Sequence, residues 1–286
     1  MKALKCCKIN FLQIRTNWKY WICLAFVVLQ MWSITGDMGA YAQALHYPHV
    51  APWLLPHLPA FIQKYTVLLI IFLVLVSDAP FRTAQQQLVI QRVGKRKWII
   101  GQLLFLFAMS VLYSLLLWLL SWIFYAPMVE WTPEWGKVIF SSTNYDLTSG
   151  ITEMVSPVII TKEILMNTTG LAATAHMVLV QALVCFFLGG LILICNLWLR
   201  SGVGPFLSGA FVMEAFFLRA NAMWNDHPTW LTWASPVSWL DRSMMDHTNQ
   251  GLPSSAYGLW MIAALCLAEV LVVVGTIHKC DIAAKE

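Results

Sequence analysis

The sequence predicts an all-α membrane protein with six transmembrane helices, an N-terminal amphipathic interfacial helix and both termini in the cytoplasm. Three observations carry this. Apolar runs at 18–34, 59–77, 98–124, 173–198, 203–219 and 257–277 lie near or above the ~20 residues that cross a ~30 Å hydrocarbon core. The composition is 59% hydrophobic and 11% charged, with a mean hydropathy of +0.67. Thirteen of the eighteen Lys and Arg fall on one side of an alternating six-span map. Lipid offers backbone groups no hydrogen-bond partners, so such runs must be helices and not open strands.

The elements follow in order. Along the elbow helix at 1–17 and into the first span, Leu4, Cys7, Phe11, Ile14 and Trp18 recur at intervals of 3 and 4, which draws one apolar stripe along a helix. Lys5, Lys8, Arg15 and Lys19 form a basic stripe beside it, so this elbow should lie in the inner interface with its ammonium groups among headgroups. No clean small-x-small cleavage site follows, and the first span is read as retained. Cys6 and Cys7 have no nearby His or further Cys, which reads as small semi-apolar residues and not as a metal site.

The loop 78–97 predicts a short cytoplasmic helix. Ser77 or Asp78 can cap it, Pro80 suits its first turn, Thr83 to Val93 contains no breaker, and Gly94 ends it. Lys95, Arg96 and Lys97 then anchor the next span. Two long outer loops complete the map. That at 125–172 far exceeds ~15 residues, a length that marks functional or disordered segments. It carries an apolar, β-branched stretch at 155–161 and a glycosylation acceptor pattern at Asn167-Thr168-Thr169. The loop at 220–256 is dense in Trp and predicts short helices half-sunk in the outer interface. The chain closes with a short tail at 278–286.

Charge sets the orientation. The basic residues of the N-terminus, the 78–97 loop, Arg200 and the tail share one face, while nine of the fourteen acids share the other. The positive-inside bias places the basic face in the cytoplasm. The net charge of +4 follows from this asymmetry and gives no reason to expect nucleic acid as a partner. Trp18, Trp21, Trp32, Trp98, Trp118, Trp122, Trp198, Trp224 and Trp260 fall near predicted span ends, where an amphipathic ring is at home.

Catalytic signatures are missing from the sequence. Gly94-Lys95 lacks the earlier glycine and the following Ser or Thr of a phosphate-binding loop, so any ATP hydrolysis must come from another chain. His46, His49 and His57 sit among prolines at spacings of three and eight, a poor metal-ligand pattern. Glu214 and Glu269 are the notable polar residues, each eleven or twelve residues into a span and so near mid-membrane. An intramembrane acid usually faces a bundle interior or a water-filled path. They are read either as contacts for a cationic or amphipathic substrate or as protonated structural acids. Arg219, ~140° around the helix from Glu214, is not expected to pair with it.

The whole pattern resembles a permease subunit of the type-2 ATP-binding-cassette exporter family. The resemblance rests on the elbow helix, the six spans and the basic loop ending Arg92-Val93-Gly94-Lys95-Arg96-Lys97-Trp98. Ser235-Pro236-Val237-Ser238-Trp239 is similar to the family's outer segment between spans five and six. The resemblance implies a single permease domain over 1–286 in a plasma membrane, with the bacterial cytoplasmic membrane as the expected setting. It implies no enzyme activity and no cofactor in this chain. Its partners would be a cytoplasmic ATPase subunit that holds ATP-Mg, a second permease subunit of the same or homologous sequence, and membrane lipids. Arg82, Gln85, Gln86, Arg92 and Arg96 become the candidates for docking the ATPase. Cargo would be amphipathic or hydrophobic: a peptide such as a bacteriocin, a drug or a lipid. The alternative from a different class is a non-transporting scaffold or sensor whose long outer loop binds a partner.

Overall fold

A computed structural model describes residues 2–47, 49–81, 86–143, 160–199, 202–222, 229–245 and 251–279. Six long helices alternate in direction: α2 (Trp18–Thr35), α4 (Ile62–Val76), α6 (Lys95–Ile123), α9 (Gly170–Trp198), α10 (Val203–Ala222) and α12 (Ser255–Thr276). Shorter helices flank them: α1 (Lys2–Ile14), α3 (Met38–Ala44), α5 (Gln86–Val93), α7 (Gly136–Ser141), α8 (Lys162–Asn167) and α11 (Thr229–Ala234). No strand occurs among the described residues beyond one isolated bridge, Val50 to Val129. Local chemistry explains several starts. The side chains of Asn17, Thr169 and Ser254 accept backbone N–H bonds and cap α2, α9 and α12. Gly94, at φ +86°, makes the break between α5 and α6 that a side chain would strain.

Five helices are long and apolar enough to cross a membrane, which makes the chain a multi-pass, all-α membrane protein. The remaining candidate, α4, has 15 residues, shorter than the 59–77 run expected. Pro59 sits inside a 3-10 turn at Leu55–Ala60, where it has no N–H to give, and the α-helix begins only at Ile62. Exposure agrees with a lipid surround. On α2, Trp18, Ile22, Phe26, Leu29 and Trp32 form an exposed apolar stripe opposite buried Cys23, Val27, Met31 and Ile34. Trp98 departs from the interfacial expectation, since it is buried at 1% exposure.

The core lies along α9. Its most apolar window is 72% buried, against at most 44% for the other candidate spans. It packs on α4, α6, α10 and α12. Small residues set the close approaches, as they do at membrane helix interfaces. A Cβ at Gly204 of α10 would lie 2.7 Å from the Ile192 Cα of α9, and Ser208 Oγ donates to Leu188 O at 2.9 Å. At Gly101 of α6, a Cβ would meet Cys6 Cβ at 2.7 Å, so α1 lies tightly across α6. α10 thus approaches α9 closely through Gly204 and Ser208.

The two ends of the bundle differ in build. The basic end holds α1, α5 and the start of α6. The loop end is covered by the connections that follow α2, α6 and α10. There Trp53 Nε1 donates to Thr132 O at 2.7 Å and Trp135 Nε1 to Thr168 O at 2.6 Å. The 235–245 segment is buried over most of its length, and Trp239 Nε1 donates to Thr232 O at 2.9 Å. Short helices do form in this Trp-rich loop, as the sequence leads one to expect. The 155–159 part of the apolar stretch in the longest loop lies outside the described residues.

Candidate functional site

At the basic end, three helices, α2, α6 and α9, converge on the turn Ser77–Phe81 that leads from α4 toward α5, and α1 joins through α6. Gln102, seven residues after the α6 start, is 1% exposed. Its Oε1 accepts the Phe81 N–H at 3.2 Å and the Asn10 Nδ2–H of α1 at 3.1 Å, while its Nε2 donates to Phe81 O at 3.5 Å. One helical turn further along α6, Phe105 takes edge-to-face contacts from Phe81 at 4.7 Å and Phe11 of α1 at 4.8 Å between centroids. Residues 102 and 105 share a helix face, so one face of α6 grips the turn and the elbow together. From α9, Asn196 Nδ2 donates to Ala79 O at 2.7 Å and Ser77 O at 3.2 Å. From α2, Lys19 Nζ reaches Asp78 Oδ2 at 2.6 Å and Ser77 Oγ at 2.8 Å.

This arrangement corrects one sequence expectation. Ser77 and Asp78 do not cap α5 and Pro80 does not lie in a helical turn, because residues 77–81 form turns, and the described part of α5 runs from Gln86 to Val93. The side-chain oxygens that could cap are engaged elsewhere: Asp78 pairs with Lys19, and Ser77 Oγ donates to Val74 O at 3.0 Å. Gly94 ends the helix as expected. Arg82 and Gln85 lie outside the described residues, and Gln86 is the first residue of α5. Arg92 and Arg96 are exposed, with no carboxylate in ion-pair range among the described residues.

The two acids occupy different surroundings and are not brought together by any close contact. Glu269 of α12 is 7% exposed and presses its carboxyl on Gly190 of α9, where a Cβ would collide with Oε2. Neither carboxyl oxygen has a hydrogen-bond partner among the described residues. Glu214 of α10 is half-buried near Ser235 of the loop-end segment, whose Oγ makes no hydrogen bond among the described residues. Arg219 pairs instead with Asp241, Nε to Oδ2 at 3.0 Å, a contact that lacks the alignment of a hydrogen bond. That pair ties the end of α10 to the 235–245 segment.

The three histidines do not form a metal site, and no cluster of ligands occurs among the described residues. His46 and His49 are exposed, while His57 is fully buried beside Trp135, with ring centroids 4.9 Å apart. His57 Nδ1 accepts the Thr161 N–H at 3.3 Å, and burial pushes its pKa down from 6.5 to about 3. The ring is therefore neutral at physiological pH and structural.

Asn10, Gln102 and Asn196 are the functional candidates that sequence reasoning missed. A lone amide in an apolar run was the available signal, since polar side chains inside membrane bundles bind across helices. No protein-family model, curated protein or solved structure matches the chain.

Proposed function

We propose that the chain is the permease subunit of an ATP-driven exporter of the type-2 ATP-binding-cassette kind. In this reading α4 serves as the second of six spans, and the basic end faces the cytoplasm of a plasma membrane. A separate ATPase binds α5 and its flanks, where exposed Arg92 and Arg96 offer unpaired cations. Two permease subunits enclose the path for an amphipathic or hydrophobic cargo. The observation that carries the reading is the gripped turn. A force on the α5 segment enters Ser77–Phe81, and from there it reaches α1, α2, α6 and α9 through named bonds. A purely topogenic basic loop needs no such connection. Glu269, buried and without a hydrogen-bond partner among the described residues, fits a group whose charge state or contact changes as α9 and α12 move apart.

The test is co-expression with an ATPase encoded beside the gene, combined with labelling of single cysteines at positions 90 and 140 in intact cells. The reading expects co-purification of the ATPase, labelling of position 140 from outside, and labelling of position 90 only after the inner face is opened. Labelling of both positions from the same side, or an ATPase that never associates, overturns it.

A further inference from the structure

We propose that the groove between α1, α2 and α6 is a binding site for one anionic phospholipid from the leaflet at the basic end. One acyl chain would lie in the groove and the phosphate against Arg15. The proposal does not depend on the permease reading.

Two cavities adjoin there. One, of about 400 Å³, is walled by Phe11 and Ile14 of α1, Leu24 and Val27 of α2, and Leu112 and Leu116 of α6. The other, of about 370 Å³, is lined by Arg15, Thr16, Trp18 and Trp21. Arg15 and Trp21 border both, so the apolar space adjoins a second one that Arg15 lines. That order, apolar then cationic, is the order of an acyl chain and its phosphate. Trp18 at 79% exposure and Trp21 at 52% mark the level where interfacial rings sit, which puts Arg15 at headgroup depth.

Charge selects the occupant. Arg15 is exposed, with no carboxylate in ion-pair range among the described residues. The first 36 residues contain Lys2, Lys5, Lys8, Arg15 and Lys19 and no acid at all. A second copy of this chain docked here about a two-fold axis would bring two such basic faces together, whereas an anionic headgroup meets complementary charge. A guanidinium also suits the phosphate geometrically, because it can present two parallel N–H donors. A water-soluble anion would leave the apolar cavity unused.

The experiment is native mass spectrometry of the full chain in a neutral detergent, with phosphatidylglycerol and phosphatidylcholine of identical acyl chains added in turn. Wild type should retain one phosphatidylglycerol about fivefold more tightly than phosphatidylcholine, the preference one basic side chain gives near an anionic surface. Arg15→Gln should bring that ratio to about one. Leu112→Trp, which fills the groove, should lower retention of both lipids. Arg15 is exposed, so its replacement leaves the fold intact and decides the question even where Leu112→Trp fails to fold. Equal retention of the two lipids by wild type overturns the proposal. So does an unchanged ratio in Arg15→Gln, or a chain dimer cross-linked through Leu112→Cys in place of bound lipid.

Discussion

The two ends of the bundle are held in different ways. At the loop end, ties are dispersed: Trp53 to Thr132 and His57 to Thr161 join the connections after α2 and α6, Trp135 to Thr168 closes within the latter, and Arg219 to Asp241 joins α10 to the connection after it. At the basic end, Lys19, Gln102 and Asn196 converge on one short turn, and Asn10 joins it through Gln102. Dispersed ties make a cover in which each loss stays local. Convergent ties make a junction, where one change is felt by every element that meets there. A junction directly before a helix outside the bundle is what transmission of motion requires, and a cover is what sealing requires.

Gln102→Leu should break this contrast with the largest effect. It removes the buried acceptor of the Asn10 Nδ2–H and the Phe81 N–H, and orphaning the Asn10 amide alone costs ~1–3 kcal/mol. Thermal unfolding in detergent measures it, and a change within ~0.5 kcal/mol of wild type, as for an ordinary surface substitution, would deny the junction its energetic weight.

The loop end should show its character through pH. Because His57 titrates lower in the folded state than in the unfolded one, its contribution is complete above the unfolded value of 6.5 and declines as pH falls toward about 3. Between pH 6.5 and 5 the loss is ~2 kcal/mol. His57→Asn, which cannot titrate, should remove that component of the acid slope. Identical slopes for the two proteins would show that the ring is not sealed from protons.

Between the ends, Glu269→Met replaces an unpartnered buried carboxyl with an apolar chain of similar shape. It should leave stability unchanged or raise it by ~1 kcal/mol, since no bond is lost, while transport falls. A large destabilisation would reveal a structural partner for the acid. The smallest effect belongs to Lys19→Ala. Its ion pair with Asp78 has side-chain exposures of 22% and 58%, so the loss should be ~0.2–1 kcal/mol and should shrink in high salt.

Much of the fold is legible in the sequence, because span length and apolar content are local quantities. The structure moves most helix ends by only a few residues, as at α6, which starts at Lys95 where Trp98 was expected. What stays hidden is pairing. Gln102 meets residues 92 and 21 positions away, and Asn196 meets residues 117 and 119 positions away, separations on which no local pattern bears. The turn at 77–81, where a helix cap was expected, has the same origin. Ser77, Asp78 and Pro80 read locally as a helix start, and tertiary bonds to Lys19 and Asn196 override that preference. The acids were found from polarity alone, but only the structure separates Glu269, pressed on Gly190, from Glu214 beside Ser235.

The central claim is that motion of α5 enters the bundle through the Ser77–Phe81 turn. Its most direct test is ATP turnover by the ATPase co-purified with wild type, Gln102→Leu and Asn196→Leu, each in lipid nanodiscs with cargo extract added. The account predicts that all three chains bind the ATPase and that both variants lose stimulation of turnover. Wild-type stimulation in both variants would contradict it.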